Sequence, residues 1–144
     1  MILVDANLLL YAYHPQDERH AAAKSWLEGV LSGTEPVGFA WLTLWAFLRI
    51  STNTRVFARP LLPSEANAVV SSWLARRVTS ILEPEERYWG ILRGLLQDDQ
   101  VKGALVMDAA LAALALEHGA ILHTTDGDFS RFSGLRWRNP LDTA

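Results

Sequence analysis

Short apolar runs along this chain alternate with longer stretches in which apolar residues recur at helical spacing. The runs have the length of buried strands, and the stretches have the period of helices. Strands are therefore predicted at residues 2–4, 37–40, 78–82 and 121–124, with a last short one at 135–138. Helices are predicted around residues 8–10 up to His14, and at 20–31, 42–50, 64–77, 84–97 and 109–118.

The resulting order repeats one strand followed by two helices, which is typical of a mainly parallel sheet covered by helices. We therefore expect an α/β fold with a central sheet of four or five strands and helices on both faces. The chain has 144 residues, of which half are hydrophobic. This length and composition suit a single domain over residues 1–144.

Individual residues also predict where some helices begin and end. Ser64, with Asn67 three residues later, indicates a capped helix start. Pro84 is expected in the first turn of the next helix, and Asp108 is expected to cap the Ala-rich helix that follows. Gly119 is expected to terminate that Ala-rich helix.

Composition excludes several classes of protein. The chain contains no cysteine, which rules out disulfides and thiolate metal sites and suits the reducing cytoplasm. Its first residues meet a charge at Asp5 without a basic leader, so neither a signal peptide nor a membrane span is expected. The net charge of −3 argues against a wholly basic nucleic-acid binder.

Arginine nevertheless supplies 11 of the 13 basic residues. Its planar guanidinium matches phosphate better than the point charge of lysine does. Most of these arginines fall into groups, namely Arg49, Arg55 and Arg59; Arg76 and Arg77; and Arg131, Arg136 and Arg138. Taken one at a time, they are equally well explained as solvated surface charges.

Four aspartates fall where a predicted strand ends or a predicted helix begins. Asp5 follows the first strand, Asp126 and Asp128 follow the fourth, and Asp108 precedes the Ala-rich helix. Because the carboxyl ends of parallel strands share one edge of a sheet, these separate stretches are expected to converge. Gathered carboxylates repel one another unless a hard divalent cation such as Mg²⁺ lies between them. Singly, each aspartate also has a structural explanation as a helix cap or a turn residue.

Four short motifs are spread over nearly the whole chain. They are VDANLL at 4–9, FLRISTN at 47–53, MDAALAALA at 107–115 and TTDGDF at 124–129. In order, spacing and strand context they resemble the PIN-domain ribonucleases, specifically the VapC-type toxins of bacterial toxin–antitoxin pairs. The resemblance implies a PIN-like domain that acts as a Mg²⁺- or Mn²⁺-dependent endoribonuclease, the toxin of a type II pair.

The resemblance also implies roles for particular residues. The metal is expected to bind Asp5, Asp108 and Asp126, which are also the expected catalytic residues, with Asp128 as a ligand through water or a supporting acid. Implied partners are an RNA substrate, a cognate antitoxin and a second copy of the chain in a homodimer.

Two polar residues flank the expected site. Asn7 and Thr125 are predicted to orient a carboxylate or a water by hydrogen bonding. Local turn capping explains both residues equally well.

The chain departs from the family pattern at one position. Relatives commonly carry glutamate four residues before the arginine that corresponds to Arg49, and here that position is Trp45. Arg49 lies on an otherwise apolar helix, so it is expected to pair with an acid in the pocket rather than face a phosphate. His123 is expected to be a core or supporting histidine rather than a general base.

Tryptophan is frequent in the chain, and most of these side chains are expected in the core. Trp26, Trp41, Trp45 and Trp73 lie in apolar contexts and are assigned mostly to the core. The apolar helix at 42–50 is also a candidate docking surface for a second subunit or an antitoxin.

Other functions fit the residues less well. A haloacid-dehalogenase-like phosphatase needs a second aspartate two residues after the first, where this chain has Asn7. A receiver domain needs a lysine late in the chain, and the only lysines are Lys24 and Lys102. A catalytically silent PIN fold that binds RNA or protein stays open, because the family glutamate is missing.

Overall fold

A single parallel sheet organises the protein in a computed structural model that describes residues 1–142. Within that range the strands are β1 (Ile2–Val4), β2 (Val37–Phe39), β3 (Thr79–Ile81), β4 (Ile121–His123) and β5 (Trp137–Arg138). The helices are α1 (Ala6–Ala12), α2 (His20–Leu31), α3 (Trp41–Ser51), α4 (Pro63–Leu74), α5 (Tyr88–Leu95) and α6 (Leu105–His118). A 3₁₀ helix at Gly127–Arg131 lies between β4 and β5.

The strands lie in the order β3-β2-β1-β4-β5, and every neighbouring pair is parallel. The predicted α/β class, the order of elements and the sheet of five strands are confirmed. The strand order reverses direction at β1, so the crevice between β1 and β4 is the place where open α/β sheets bind ligands. The prediction of one domain over 1–144 includes residues 143 and 144, which lie outside the described residues, and it stays a prediction.

Helices cover both faces of the sheet because the strand side chains alternate. On β1, Ile2 and Val4 pack into a core cluster formed with α1 to α4, whereas Leu3 packs on the opposite side with α6. The first cluster centres on Trp73, which is 1% exposed and stacks parallel to Phe39 with 5.7 Å between ring centroids. Burial of a side chain this large contributes about 3–5 kcal/mol relative to alanine.

Helix α4 begins differently from the prediction. Its N-cap is Leu62 rather than Ser64, and Pro63 occupies the first helical position, where its missing N–H costs nothing. The carboxylate of Glu65 accepts a hydrogen bond of 2.9 Å from the backbone N–H of Leu62. Ser64 and Asn67 therefore do not form the predicted cap.

Helix α5 begins at Tyr88, four residues after the predicted start at Pro84. The reason lies in a distant side chain, the buried carboxylate of Glu117 near the end of α6. It accepts hydrogen bonds from the backbone N–H groups of Glu85 at 2.8 Å and Arg87 at 2.9 Å. These contacts keep the segment 83–87 out of the helix, so Pro84 is not in its first turn.

Helix α6 begins at Leu105 with Ala104 as its N-cap, so the prediction that Asp108 caps the helix is wrong. Asp108 lies inside the first turn instead, where the helix dipole still favours a negative charge. Gly119 ends the helix in the left-handed conformation with φ of 66°, as predicted. Within residues 1–142, no helix is long and apolar enough to cross a membrane.

The middle of β2 leaves no room for a side chain. A Cβ added at Gly38 would lie 2.6 Å from Cδ1 and 2.7 Å from Cγ of Leu82, which is itself buried. We expect Gly38→Ala to destabilise the protein by about 1–3 kcal/mol through overpacking. Urea unfolding followed by circular dichroism measures this change.

Two further variants make the packing test specific. Gly29→Ala is the control, because nothing lies within 4 Å of the added Cβ, and alanine favours helix α2. Leu82→Ala combined with Gly38→Ala should show less than the sum of the two single losses, since the smaller side chain makes room. Equal stability of Gly38→Ala and the native chain would contradict the close contact.

Candidate functional site

Parallel pairing of β1 with β4 brings two distant parts of the chain to one edge of the sheet. Val4 and His123 are register partners, and the backbone N–H of Asp5 donates to the carbonyl of His123 at 3.0 Å. Asp5 therefore leaves β1 at the level where β4 ends, shortly before Asp126. The predicted convergence of these two stretches is confirmed.

Thr124 is the junction of the hydrogen bonds at this edge. Its hydroxyl is fully buried and donates to Oδ2 of Asp5 at 2.7 Å. The hydroxyl oxygen of Thr124 also accepts two hydrogen bonds, from the side-chain amide of Asn7 at 3.3 Å and from the backbone N–H of Asp126 at 3.0 Å. One hydroxyl thus ties together the segments that carry Asp5 and Asp126.

The two predicted supporting residues have different positions. Asn7 contacts the junction through its amide nitrogen, and its Oδ1 is buried without a hydrogen-bond partner within residues 1–142. Thr125 lies near the hydroxyl of Tyr11 instead, with 3.5 Å between the oxygens. The residue at the junction is therefore Thr124 rather than the predicted Thr125, although both threonines belong to the same motif.

Asp5 and Asp126 each cap the helix that follows them. Oδ1 of Asp5 accepts from the backbone N–H of Ala6 at 2.7 Å, and Oδ1 of Asp126 accepts from that of Asp128 at 2.9 Å. The structural explanation for these two aspartates is therefore correct, but it does not use all their lone pairs. An ionised carboxylate has about four acceptor sites, so both residues retain free lone pairs.

The raised pKa of Asp108 indicates that the carboxylates of the four aspartates lie close together. Its pKa is raised from 3.8 to about 6, mainly by burial and in addition by the charges of Asp126, Asp5 and Asp128. The pKa of Asp5 is also raised, first by burial and least by Asp126, while the hydrogen bonds from Thr124 and Ala6 oppose this rise. The four aspartates therefore share one electrostatic neighbourhood with excess negative charge.

This donor set has the chemistry of a site for a hard divalent cation. It offers carboxylate oxygens, an unpaired buried amide oxygen on Asn7 and a negative charge that raises the pKa of Asp108. Within residues 1–142, however, no three acidic or histidine side chains are close enough together to hold a metal ion as they stand. Because Mg²⁺ usually keeps several waters, one or two direct carboxylate ligands suffice.

A cavity of about 320 Å³ opens beside Asp5 and Asp108. Trp45 and Arg49 from α3 line the same cavity, so the position at which the resemblance implies a glutamate borders the same space as the carboxylates. Arg49 is exposed and forms no salt bridge within residues 1–142, so the expected ion pair with an acid is wrong. The end of this long side chain lies in solvent, where it needs no partner.

The assignment of two tryptophans to the core is also wrong. Trp41 is 43% exposed and Trp45 is 62% exposed, because α3 turns its other face, with Leu44 and Phe47, toward the core. Trp73 is buried as expected, and Trp26 is partly buried.

His123 is a core histidine, as expected. It is 7% exposed and stacks on Trp26, with 5.6 Å between ring centroids. Burial lowers its pKa to about 4, and the charge of Arg138 acts in the same direction. The imidazole is therefore neutral at pH 7.

Comparison with known proteins places this fold in a family. The family model described as "PIN domain" matches residues 2–135. The chain belongs to the PIN-domain family. The resemblance in its four motifs is thereby confirmed.

Curated relatives within this family are VapC proteins. The chain is 44% identical over 140 residues to ribonuclease VapC37 of Mycobacterium tuberculosis, with 97% of each chain covered. It is 40% identical over 142 residues to ribonuclease VapC43 of the same species, covering 99% of this chain and 97% of the relative.

Solved structures share the fold at lower identity. VapC20 of Mycobacterium tuberculosis, described as a toxin that cleaves the sarcin-ricin loop, superposes with a TM-score of 0.66 at 20% identity, covering 94% of this chain and 99% of that chain. A VapBC2 structure from Rickettsia felis, bound to a promoter DNA fragment, gives a TM-score of 0.68 at 19% identity. It covers 96% of this chain and 98% of its own.

The raised pKa of Asp108 predicts a stability cost in the metal-free protein. The pKa of Asp108 is about 6 in the folded chain and 3.8 in the unfolded chain. The contribution of this carboxyl group to stability is therefore fully present below pH 3.8, and it is lost as the pH rises through 6. Asp108→Asn should therefore be more stable than the native chain at pH 7.5 in EDTA. Because the side chain is half-exposed, the gain is about 1 kcal/mol.

Thermal unfolding at several pH values measures this difference, which should shrink toward pH 4. Asp99→Asn, at an exposed loop position, is the control and should show no such gain. Adding Mg²⁺ should stabilise the native chain more than Asp108→Asn. Equal stability of the native chain and Asp108→Asn at pH 7.5 in EDTA would contradict the conclusion that ionised Asp108 destabilises the metal-free protein.

Proposed function

We propose that this chain is a metal-dependent endoribonuclease and the toxin of a type II toxin–antitoxin pair. One observation carries the proposal: the charges of Asp126, Asp5 and Asp128 raise the pKa of Asp108, so acids from the end of β1, from α6 and from the segment after β4 lie close together at the crevice of a PIN fold. The ribonucleases to which the chain is 40–44% identical over nearly its whole length support the same activity.

Asp5, Asp108 and Asp126 are the residues that would hold Mg²⁺ or Mn²⁺, with Asp128 acting through water from its exposed position. When bound, such a cation supplies an activated water and stabilises negative charge on the phosphate under attack. Side chains of this protein orient the carboxylates that would hold the cation. The Thr124 hydroxyl donates to Asp5 at 2.7 Å and holds this carboxylate in place, while its remaining lone pairs are free for a ligand.

Arg49 is the residue that supports RNA as the substrate. Its exposed guanidinium lies on the wall of the cavity that also contains Asp5 and Asp108. A guanidinium at that place contacts a phosphate of the bound strand, since it forms no salt bridge within residues 1–142. Arg49 is therefore proposed to face a phosphate rather than to pair with an acid of the pocket.

A cognate antitoxin is the proposed protein partner, and the chain is proposed to form a homodimer in the cytoplasm. An arginine from the antitoxin would compensate the excess negative charge around Asp108. Structural neighbours of the same fold include a VapBC-1 complex from nontypeable Haemophilus influenzae, at 18% identity and a TM-score of 0.68.

A catalytically silent PIN fold is the second candidate function. It is favoured by Trp45 in place of the family glutamate and by the lack, within residues 1–142, of three side chains that converge at ligand distance. A silent protein would bind RNA or a partner through the same crevice and would not hydrolyse RNA.

The nuclease assignment is tested by removing single carboxylates. Asp5→Asn and Asp126→Asn should each lower RNA cleavage by about 100-fold or more, because each removes a charge that the cation needs. Gel analysis of RNA cleavage with Mg²⁺, Mn²⁺ or EDTA measures the loss. Asp99→Asn is the matched control and should cleave like the native chain. If both site variants still cleave RNA and contaminating nuclease is excluded, the assignment of Asp5 and Asp126 as catalytic metal ligands is contradicted.

A glutamate at position 45 should restore the missing ligand. Trp45→Glu adds a carboxylate that faces Asp5 and Asp108, so it should lower the Mn²⁺ dissociation constant by roughly tenfold while cleavage at saturating RNA is retained. Calorimetric titration with Mn²⁺ measures the affinity. Trp89→Glu, at an equally exposed tryptophan, is the control and should leave the affinity unchanged. Weaker metal binding by Trp45→Glu would contradict the placement of this residue.

A further inference from the structure

Trp45 is an exposed aromatic side chain that the core does not need. It is 62% exposed, and the buried residues of α3, namely Thr43, Leu44, Phe47 and Ser51, lie on another face of the helix. Exposure of an indole forgoes the stabilisation that burial of its apolar area would give. An exposed tryptophan beside a functional crevice therefore points to a ligand.

The face of α3 that contains Trp45 lines the crevice. Leu42, Trp45, Ala46 and Arg49 have the spacing of one helix face, and all four lie in the wall of the cavity that contains Asp5 and Asp108. Trp45 and Arg49 are one helical turn apart, so their Cβ atoms are about 5–6 Å from each other. A planar aromatic surface and a cationic group are thus presented side by side.

A nucleotide offers the complementary pair of groups, a planar base and an anionic phosphate. Stacking of a base on an aromatic side chain strengthens binding, and it requires a base that is not paired. We propose that Trp45 is a stacking platform for one unpaired base of the RNA, while Arg49 contacts the adjoining phosphate. This inference rests on the proposed ribonuclease function and makes Trp45 a residue that positions the strand beside the carboxylates.

The size and charge of the crevice favour a nucleotide over a protein surface. Its volume of about 320 Å³ is within the range of small-ligand pockets, which suits a single nucleotide unit. A second copy of this chain would have to bring an acidic side chain to Arg49, next to Asp5 and Asp108, where further carboxylates are repelled. A phosphate at Arg49 belongs to the strand that the carboxylates act on.

The neighbouring tryptophan is arranged differently. The indole N–H of Trp41 donates to the carboxylate of Glu83 at 3.3 Å, which ties it to the segment after β3. Trp41 is also absent from the wall of the cavity beside the carboxylates. Only Trp45, of these two, combines high exposure with a place at the crevice.

Trp45 is not expected to select a particular base. Stacking tolerates every base because each base has a π-face, so Trp45 sets the position of the strand rather than its sequence. The aromatic residue at this position replaces a metal ligand of the family by a contact to the substrate. Trp45→Glu should therefore raise the KM for RNA even where it strengthens metal binding.

A binding cycle on the full-length chain tests this directly. The probe is a fluorescein-labelled single-stranded oligoadenylate, measured by fluorescence anisotropy with Mg²⁺ in the Asp126→Asn background, in which cleavage is expected to be lost. Trp45→Ala should weaken binding about tenfold, and Trp45→Phe should retain most of the affinity. Trp89→Ala, which is equally exposed but not in the cavity wall, should bind as before.

Abasic nucleotides complete the cycle. One abasic position in the probe should weaken binding to the Trp45 protein about tenfold and have no further effect on Trp45→Ala. Additive losses at every position, or no measurable binding of the Trp45 protein to the probe, would overturn the proposal. A third result would also overturn it: Trp45→Ala changes from dimer to monomer in light scattering but keeps its affinity for the probe. The face that contains Trp45 would then contact a second copy of the chain rather than RNA.

The two proposals fail in different ways. If the native chain does not cleave RNA but the cycle shows coupling between Trp45 and one base, the ribonuclease function fails and the stacking platform stands. If Asp5→Asn abolishes cleavage but the cycle shows no coupling, the ribonuclease function stands and the platform is overturned.

Discussion

The hydrogen bond from Thr124 to Asp5 is the interaction on which the site depends. The two residues are 119 positions apart, and the bond forms only because β1 and β4 pair in parallel with Val4 opposite His123. In a parallel pair both strands end at the same edge, so the chain must run through most of its helices before it returns to complete the site. The fold and the site therefore form together.

The price of this arrangement is a pocket with too much negative charge. Burial and mutual repulsion raise the pKa values of Asp5 and Asp108, which means that the ionised site is less favourable in the folded chain than in water. The packed clusters on both faces of the sheet offset this cost through the apolar area that they bury. A strained site on a well-packed scaffold is the usual arrangement where charges must remain available to a ligand.

The order of elements could be predicted from the sequence because each apolar period is local. The start of α5 could not, since a carboxylate 30 residues away from Arg87 accepts the backbone N–H groups of the preceding segment and keeps that segment out of the helix. The exposure of Trp45 was missed for a different reason: α3 is apolar on nearly every side, so its periodicity gave no sign of which face is buried. Thr124 was missed because adjacent residues at a strand end point in opposite directions, and only the structure shows which one faces Asp5.

Glu117 has a consequence that reaches beyond the segment it holds. It lies near the end of α6, nine residues after Asp108, which corresponds to about 14 Å along the helix axis. Its hydrogen bonds to Glu85 and Arg87, together with the 2.7 Å bond from Tyr88 to the carbonyl of Ala110, prevent α6 from sliding or rotating about its long axis. The helix is thus held near both of its ends, and the position of Asp108 at the crevice depends in part on a carboxylate that does not contact it.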